Sequence, residues 1–408
     1  MTFEENEHKD IAVIGAGPVG MLAALSLAHK GYSVFLIGPP APADELRTTA
    51  LMIPAIRMLQ KLNIWNIVKH HAAALSFIRI IDITSRIVRA PTVNFSAAEI
   101  GEEAFGYNIP NVALNNALAN FITHTPNIKR FFSSAQSFHH QQNHICVTLA
   151  NGRVLQASLV IAADGRHSLT RTAAGIGVKQ WNYPQTALVL NFSHDFSHQN
   201  ISTEFHTENG PFTQVPLPGH RSSLVWVVHP SRAEELLHLG SKKIAKVIEN
   251  QIQSMLGKLT LETPIQAWPL SGLISHHFAA NRTILVGEAA HVFPPIGAQG
   301  LNLGFRDVQT LIDILPNKIS DFNPKMIVTY YNRCRKLDIL MRSGSVHTLN
   351  SALLSNMLPI HIMRTLGLEL LRNCSPLRNL FMREGISPGY GFKEIMQIFP
   401  TKSPKQFH

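Results

Sequence analysis

No run of about 18 uninterrupted apolar residues occurs in these 408 residues, which excludes an ordinary membrane-spanning helix. The first ten residues are too acidic and polar for the leading region of a secretory signal, so a cytoplasmic protein is expected. Cysteine is scarce. Cys146, Cys334 and Cys374 are odd in number and far apart, which suggests neither a disulfide framework nor a spaced zinc site and fits a reducing compartment. The 21 histidines are scattered, and the pairs His70-His71, His139-His140 and His276-His277 are adjacent rather than at ligand spacing, so no metal is expected. Nucleic-acid motifs, basic-aromatic interleaving, long runs of like charge and internal repeats are also missing, and no nucleic-acid partner is expected.

What remains is an ordinary globular composition, 45% apolar and 15% charged, able to bury large cores. The net charge of +10 is uneven: residues 333–408 hold eleven Lys/Arg against four Asp/Glu and so contribute +7 of it. A basic end of this kind serves an anionic lipid or an acidic protein, or is a solvated face; both readings stay open.

The apolar run Ile11-Ala12-Val13-Ile14 leads into Gly15-Ala16-Gly17-Pro18-Val19-Gly20 and a helix-like stretch over 21–30, with a second strand at 32–37. Strand, tight turn, helix and strand make a βαβ unit. Gly15 permits the turn, Gly17 lets a pyrophosphate approach the backbone, and Gly20 lets helix and strand pack closely. The helix N-terminus adds free N–H groups and partial positive charge, so a dinucleotide is expected there. The acid that usually ends the second strand and binds ribose is missing; Gly38 stands in its place, with Asp44, Glu45 or a water as substitutes.

Two further segments carry chemistry. A buried strand over 159–163 runs into Asp164-Gly165-Arg166-His167-Ser168, where the carboxylate can accept backbone N–H groups and order the pyrophosphate turn, and Gly165 lets the chain leave sharply. Another strand, 283–286, precedes Gly287-Glu288-Ala289-Ala290-His291 and Pro294-Pro295-Ile296-Gly297-Ala298-Gln299-Gly300-Leu301-Asn302. Small residues leave room for a ligand, Glu288 offers a carboxylate to ribityl hydroxyls, and a helix starting near Gly300 would stabilise negative charge at the pyrimidine edge of a reduced flavin.

In order and spacing, these three segments resemble the fingerprints of class A flavoprotein monooxygenases. Arg47-Thr48-Thr49-Ala50-Leu51, 106–111, Asn209-Gly210-Pro211 and Pro216-Leu217-Pro218 are similar to the branch that hydroxylates polyprenylated phenols in ubiquinone biosynthesis. The resemblance spans residues 10–385 and implies an α/β aromatic hydroxylase fold: a Rossmann-like FAD-binding domain (10–75 with 111–175 and 282–335), a β-sheet substrate domain (76–110 with 176–281) and C-terminal helices (336–400). It implies FAD held by Gly15, Ala16, Gly17, Pro18, Val19, Gly20, Arg47, Asp164, Gly165, Gly287, Glu288, Pro295, Gly297, Gly300, Leu301 and Asn302. Glu288 stands where the family more often has Asp, and Asn115 or Asn116 lies near a customary FAD-binding Arg.

With a single G-x-G-x-x-G, nicotinamide is expected to bind transiently: NAD(P)H reduces FAD, and one atom of O2 reaches the ring of the phenol. Pro294, Pro295, Ile296 and Gly297 would shape the dry face of the flavin. No catalytic residue is assigned; His291, Glu204 and His206 are candidates beside structural readings. A polyprenyl substrate implies peripheral contact with the inner face of the membrane, and a biosynthetic complex is an expected partner. Leu349, Leu353, Leu354, Met357, Leu358, Ile362, Met363, Leu366, Leu370 and Leu371, with Arg364, Arg372, Arg378 and Arg383, form a basic amphipathic stretch that serves lipid or the protein's own core. A hydroxylase or epoxidase of a soluble aromatic compound, and a non-catalytic flavoprotein scaffold, are the competing readings.

Overall fold

The computed structural model describes residues 7–42, 45–85, 89–294, 299–317, 321, 323–354 and 358–386, with the helical backbone alone at 299, 341–354, 358–364 and 386. Within them lie three sheets. The first is built on parallel strands in the order Thr283–Leu285, Val154–Ala162, Glu7–Ile14, Val34–Ile37 and Ile128–Phe131. Their near-continuous apolar runs are what a parallel sheet covered on both faces requires. Ile11 and Val13 point to the helices Pro18–His29, Asn111–Thr123 and Gln299–Ile314. Ala12 and Ile14 point the other way, onto a second core that includes Ile145, Val147 and Leu149 of an antiparallel extension.

The second sheet has nine strands, with Val178–His194 central, flanked by Gln266–Ser275 and Arg221–Val228. Alternation divides its faces. Leu188, Leu190, Phe192, Leu224, Trp226 and Phe212 pack with the helices Pro230–Leu237 and Ser241–Gln251. Asn191, Ser223, Val189 and Val225 lie on the other face, Asn191 opposite Ser223 and Val189 opposite Val225. A small third sheet joins Thr48–Met52 and Ala73–Ala74 to Gly106–Pro110.

The strands cross the expected domain boundaries in three places. His291–Val292 pairs with Gln266–Ser275 in the nine-stranded sheet. Ala279–Ala280 pairs with Thr283–Leu285 in the parallel sheet. Gly106–Pro110 pairs with strands from the first part of the chain. Local pattern identifies a strand, but its partner is set by long-range packing, and here the linking strands pass between the sheets.

The C-terminal helices Leu358–Asn373 and Ser375–Ile386 sit against the edge of the nine-stranded sheet. Leu368, Leu371 and Met382 pack with Val93, Phe95 and Phe105, and Arg378 pairs with Glu99 at 2.6 Å. Of the amphipathic stretch, Leu371 therefore faces the protein, whereas Leu366 and Leu370 are exposed. Met357 and the side chains of Leu349, Leu353, Leu354, Leu358, Ile362, Met363 and Arg364 lie outside the described residues. No helix among the described residues is long and apolar enough to cross a membrane.

Candidate active site

The turn after the first strand is closed by contacts that leave no room for side chains. Gly15 has φ +106°, and a Cβ there would lie 2.1 Å from the carbonyl oxygen of Ala163. A Cβ on Gly20 would lie 1.9 Å from the carbonyl oxygen of Gly15. Gly17 differs: it is the N-cap of the helix Pro18–His29, and a Cβ on it would meet nothing within 4 Å. Pro18 occupies the first turn, where its missing N–H costs nothing, while no side chain caps this N-terminus and no acid lies in its first turn. Open space over uncapped N–H groups suits an anion such as a pyrophosphate.

Gly38 is more than an absent acid. At φ +152° its Cβ would stand 3.0 Å from the Ala16 amide nitrogen, so an acid at this place would be strained. Arg130 fastens the same corner, donating to the carbonyl oxygens of Leu36 (3.1 Å) and Gly38 (2.6 Å). Glu45 is engaged by Arg47, accepting from its Nε at 2.8 Å and its amide at 3.0 Å. Asp44 lies outside the described residues.

The Asp164 turn abuts Gly15 through its backbone, but its carboxylate works locally. Oδ1 accepts from Ser168 Oγ at 2.5 Å, and Oδ2 accepts from the amide (3.1 Å) and Oγ1 (2.9 Å) of Thr170. It therefore orders its own turn rather than the pyrophosphate turn, which corrects the sequence expectation. Gly165, at φ +80°, makes the sharp exit, as expected. Buried Arg171 extends this turn to the third motif, donating to the carbonyl oxygens of Arg166 (3.0 Å) and Ala289 (2.9 Å). Burial lowers its pKa from the usual guanidinium value, and the charge of Asp164 opposes that.

Gly287 closes on the first helix: a Cβ there would meet Val19 at 3.3 Å, and one on Gly304 would meet Val19 at 2.6 Å. The Gly287 amide donates to Asp307 Oδ2 at 2.8 Å, and His291 Nε2 lies 2.7 Å from the same oxygen. Arg335 Nε donates to Asp307 Oδ1 at 2.6 Å, and its Nη1 to Asp338 Oδ2 at 2.6 Å. Asp307, Arg335 and His291 are all buried. His291 is thus a bracing group. Burial disfavours the charged form of Arg335, but the charges of Asp307 and Asp338 outweigh it and hold the pKa above its usual value.

Around this framework stand three exposed or half-exposed charges. Glu288 lies 3.7 Å from Arg166 Nε. Arg47 sits over the Trp268 ring at 4.9 Å. Its pKa is raised, first by the hydrogen bond to Glu45 and then by the charges of Glu45 and Glu288, which puts Glu288 within electrostatic reach. Gly300 opens onto free space, and Leu301 is part of the core rim. Asn302 is committed elsewhere, accepting from the Met52 amide (2.9 Å) and donating to the Ala50 carbonyl (2.7 Å), so its amide docks the helix Gln299–Ile314 onto the strand Thr48–Met52. Pro295, Ile296, Gly297 and Ala298 lie outside the described residues.

The structure thus gathers Gly15, Ala16, Gly17, Pro18, Val19, Gly20, Gly287 and the Asp164-Gly165 backbone at one helix N-terminus. Asp307 and Arg335 escaped the sequence reading. Their signal was a charge on an apolar stripe: Asp307 among Phe305, Val308 and Leu311, and Arg335 between Tyr331 and Ile339. Asn115 has a buried Oδ1 without a partner among the described residues, an orphan acceptor in the helix beside the turn.

Residues 8–339 match the family described as FAD binding domain. The chain is 28% identical over 396 residues to ubiquinone hydroxylase UbiL of Rhodospirillum rubrum, covering 95% of this chain and 91% of that protein. It is 30% identical over 378 residues to 3-demethoxyubiquinol 3-hydroxylase of Escherichia coli, covering 89% and 94%. Among solved structures, p-nitrophenol 4-monooxygenase PnpA of Pseudomonas putida aligns with a TM-score of 0.73 at 17% identity, over 93% of this chain and 97% of that one, a likeness of fold. The open, uncapped turn and its two supporting motifs fit an FAD pyrophosphate, and the chain belongs to the FAD binding domain family, as a class A flavoprotein monooxygenase of the ubiquinone-biosynthesis hydroxylase branch.

Proposed function

We propose that this protein hydroxylates a polyprenylated phenol of ubiquinone biosynthesis, with FAD as resident cofactor, NAD(P)H as reductant and O2 as oxygen donor. The observation that carries the reading is convergence: three glycine-bearing turns, far apart in sequence, pack onto the first turn of a helix whose N-terminus has no cap of its own. The helix Ser241–Gln251 also starts uncapped, at an open Gly240, so what distinguishes the N-terminus at Gly17 is the two further turns packed beside it.

In this reading residues 10–75, 111–175 and 282–335 hold FAD, and 76–110 with 176–281 hold the phenol. The turn residues Gly15 to Gly20 receive the pyrophosphate beside the Asp164-Gly165 backbone, Glu288 accepts ribityl hydroxyls and Arg47 lies along the cofactor. Gly287, Gly300, Leu301 and Asn302 border the ring. FAD, when bound, supplies electron transfer from nicotinamide and the activation of oxygen.

The chain's own residues supply enclosure and orientation. Asn191 donates to the Leu46 carbonyl at 2.9 Å, and Thr48 Oγ1 to Ser223 Oγ at 3.0 Å, so the sheet face carrying Asn191 and Ser223 turns towards Arg47 and Thr48–Met52. Val189 and Val225 continue that face as an apolar wall that excludes water. Glu204 and His206 add a polar pair on the same face, 3.0 Å apart, with His206 Nδ1 buried and without a partner among the described residues. When Nε2–H donates to Glu204, Nδ1 is left to accept a phenol hydroxyl hydrogen and raise electron density on the ring. A polyprenyl tail partitions into lipid, so the protein meets its substrate at a bilayer surface.

The test is an absorbance spectrum of the purified protein, followed by anaerobic NADPH with and without a prenylated phenol. Bound flavin bleached faster with the phenol is the expected result. Flavin indifferent to every prenylated phenol would favour a soluble aromatic substrate, and failure to bind flavin would sink the reading.

A further inference from the structure

The helix Pro324–Leu354 has two contrasting faces over 324–340. Ile327, Tyr331, Arg335 and Ile339 are buried, on the side that meets the helix Gln299–Ile314 and the strand Ala279–Ala280. Opposite them Met326, Tyr330, Leu337 and Leu340 are 61%, 55%, 64% and 53% exposed. At 100° per residue these four fall within an arc of about 80°, and at 1.5 Å per residue the stripe is about 21 Å long. Lys325, Arg333 and Lys336 are exposed along it. The one acid of this stretch, Asp338, is turned inward to Arg306 (3.1 Å) and Arg335 (2.6 Å).

Large aliphatic groups held in water on one stripe mark a contact surface. The charges select the partner. A symmetric contact with a second copy would bring two faces of like positive charge together. An anionic bilayer offers phosphates to the three cations and an apolar interior to Met326, Leu337 and Leu340, with amphipathic Tyr330 suited to the boundary. We propose that the exposed face of residues 324–340 is the surface by which this protein rests on an anionic lipid bilayer. The inference rests on the reading above that the substrate is presented from a membrane, and it moves the contact away from the sequence-identified stretch 349–371.

Flotation of the FAD-loaded protein with vesicles of phosphatidylcholine, alone or with phosphatidylglycerol, tests it. The protein is expected to float with the anionic vesicles and to be released as salt is raised to about 0.5 M. Met326→Ser/Leu337→Ser/Leu340→Ser and, separately, Lys325→Gln/Arg333→Gln/Lys336→Gln are each expected to weaken association at least about tenfold. All six positions are exposed, so the flavin spectrum and melting temperature should hold; if one set fails to fold, the other still decides. Both variants should keep turnover on a short-tailed, water-soluble phenol and lose it on a long-tailed phenol embedded in vesicles. Wild-type protein that ignores anionic vesicles, or variants that float as well as wild type, would overturn the proposal. So would a wild-type dimer that becomes a monomer in the serine variant, since the stripe would then belong to a second copy. If vesicle binding and its loss stand while no prenylated phenol accelerates NADPH oxidation, the substrate reading fails and the lipid surface remains.

Discussion

A methyl group has different consequences at Gly15, Gly20 and Gly17, three residues of one turn. At Gly15 and Gly20 it would stand about 2 Å from a backbone carbonyl oxygen, so alanine there should prevent folding of the parallel sheet. At Gly17 the backbone (φ −73°, ψ 177°) accepts any residue and the methyl meets no protein atom. Gly17→Ala should therefore fold with an unchanged melting temperature without cofactor, yet bind FAD at least about tenfold more weakly, ~1.4 kcal/mol, because the methyl occupies the approach of the pyrophosphate. Titration by quenching of flavin fluorescence measures this, and an unaltered affinity would remove Gly17 from the site. Tyr32 makes a second prediction. Its buried hydroxyl donates to the Pro316 carbonyl, and its pKa is raised from 10 to about 12, chiefly by burial and then by the charges of Asp10 and Asp321. Folding thus favours the neutral phenol, a contribution fully present below pH 10 and lost as pH rises to 12. Denaturant titrations between pH 8 and pH 11 should show wild-type stability falling at the alkaline end. Tyr32→Phe should lack that component while losing about 1 kcal/mol at neutral pH for the missing hydrogen bond.

Helices are joined here by single charged residues inserted into apolar stripes. Asp307, on Gln299–Ile314, holds the Gly287 amide, His291 and, on Pro324–Leu354, Arg335; the end of Gln299–Ile314 is held by Lys30, which donates to the Ile312 and Leu315 carbonyls, each at 2.6 Å. Asp307→Asn keeps the shape but leaves buried Arg335 with Asp338 as its remaining carboxylate partner. The expected cost is about 1–3 kcal/mol in a urea titration, with Arg335→Met less damaging in the Asp307→Asn background than alone. Independent losses from the two substitutions would show that no such hub exists. The same elements show what a sequence discloses. The G-A-G-P-V-G turn was legible because its requirements are local: a positive φ at Gly15 and close approaches by Gly15 and Gly20. The role of Asn302 was not, since its partners Ala50 and Met52 belong to a strand about 250 residues away and nothing local to Asn302 names them. The Asp164 carboxylate differs for another reason: the sequence points it to the N–H groups of the pyrophosphate turn, whereas the local partners Ser168 and Thr170 satisfy it within its own turn.

At the scale of the molecule, the two large sheets are separate cores fastened by a chain that crosses between them repeatedly. Leu46 accepts from Asn191, Thr48 meets Ser223, and Asn108 donates to the Pro216 carbonyl at 2.8 Å and to Ser223 Oγ at 3.2 Å. The strand His291–Val292, which follows the Gly287 turn directly, belongs to the nine-stranded sheet, so the cofactor motif and the far sheet share one short segment. Units so joined should not unfold independently. A ligand that binds only the native state adds RT ln(1 + [L]/Kd), about 2.7 kcal/mol at a concentration 100 times Kd. Scanning calorimetry should show one transition, moving upward as a whole as FAD is added, because FAD at the Gly17 turn stabilises a framework on which both sheets depend. Two transitions, of which only one responds to FAD, would mean that residues 76–110 and 176–281 melt as an autonomous domain and that the crossing strands and polar contacts do not couple the sheets. Weakening the stitching should move the protein towards that behaviour: Asn191→Ala with Ser223→Ala removes the Leu46 and Thr48 contacts without touching either apolar core, and is expected to broaden or split the transition while leaving the FAD-dependent shift of the first part.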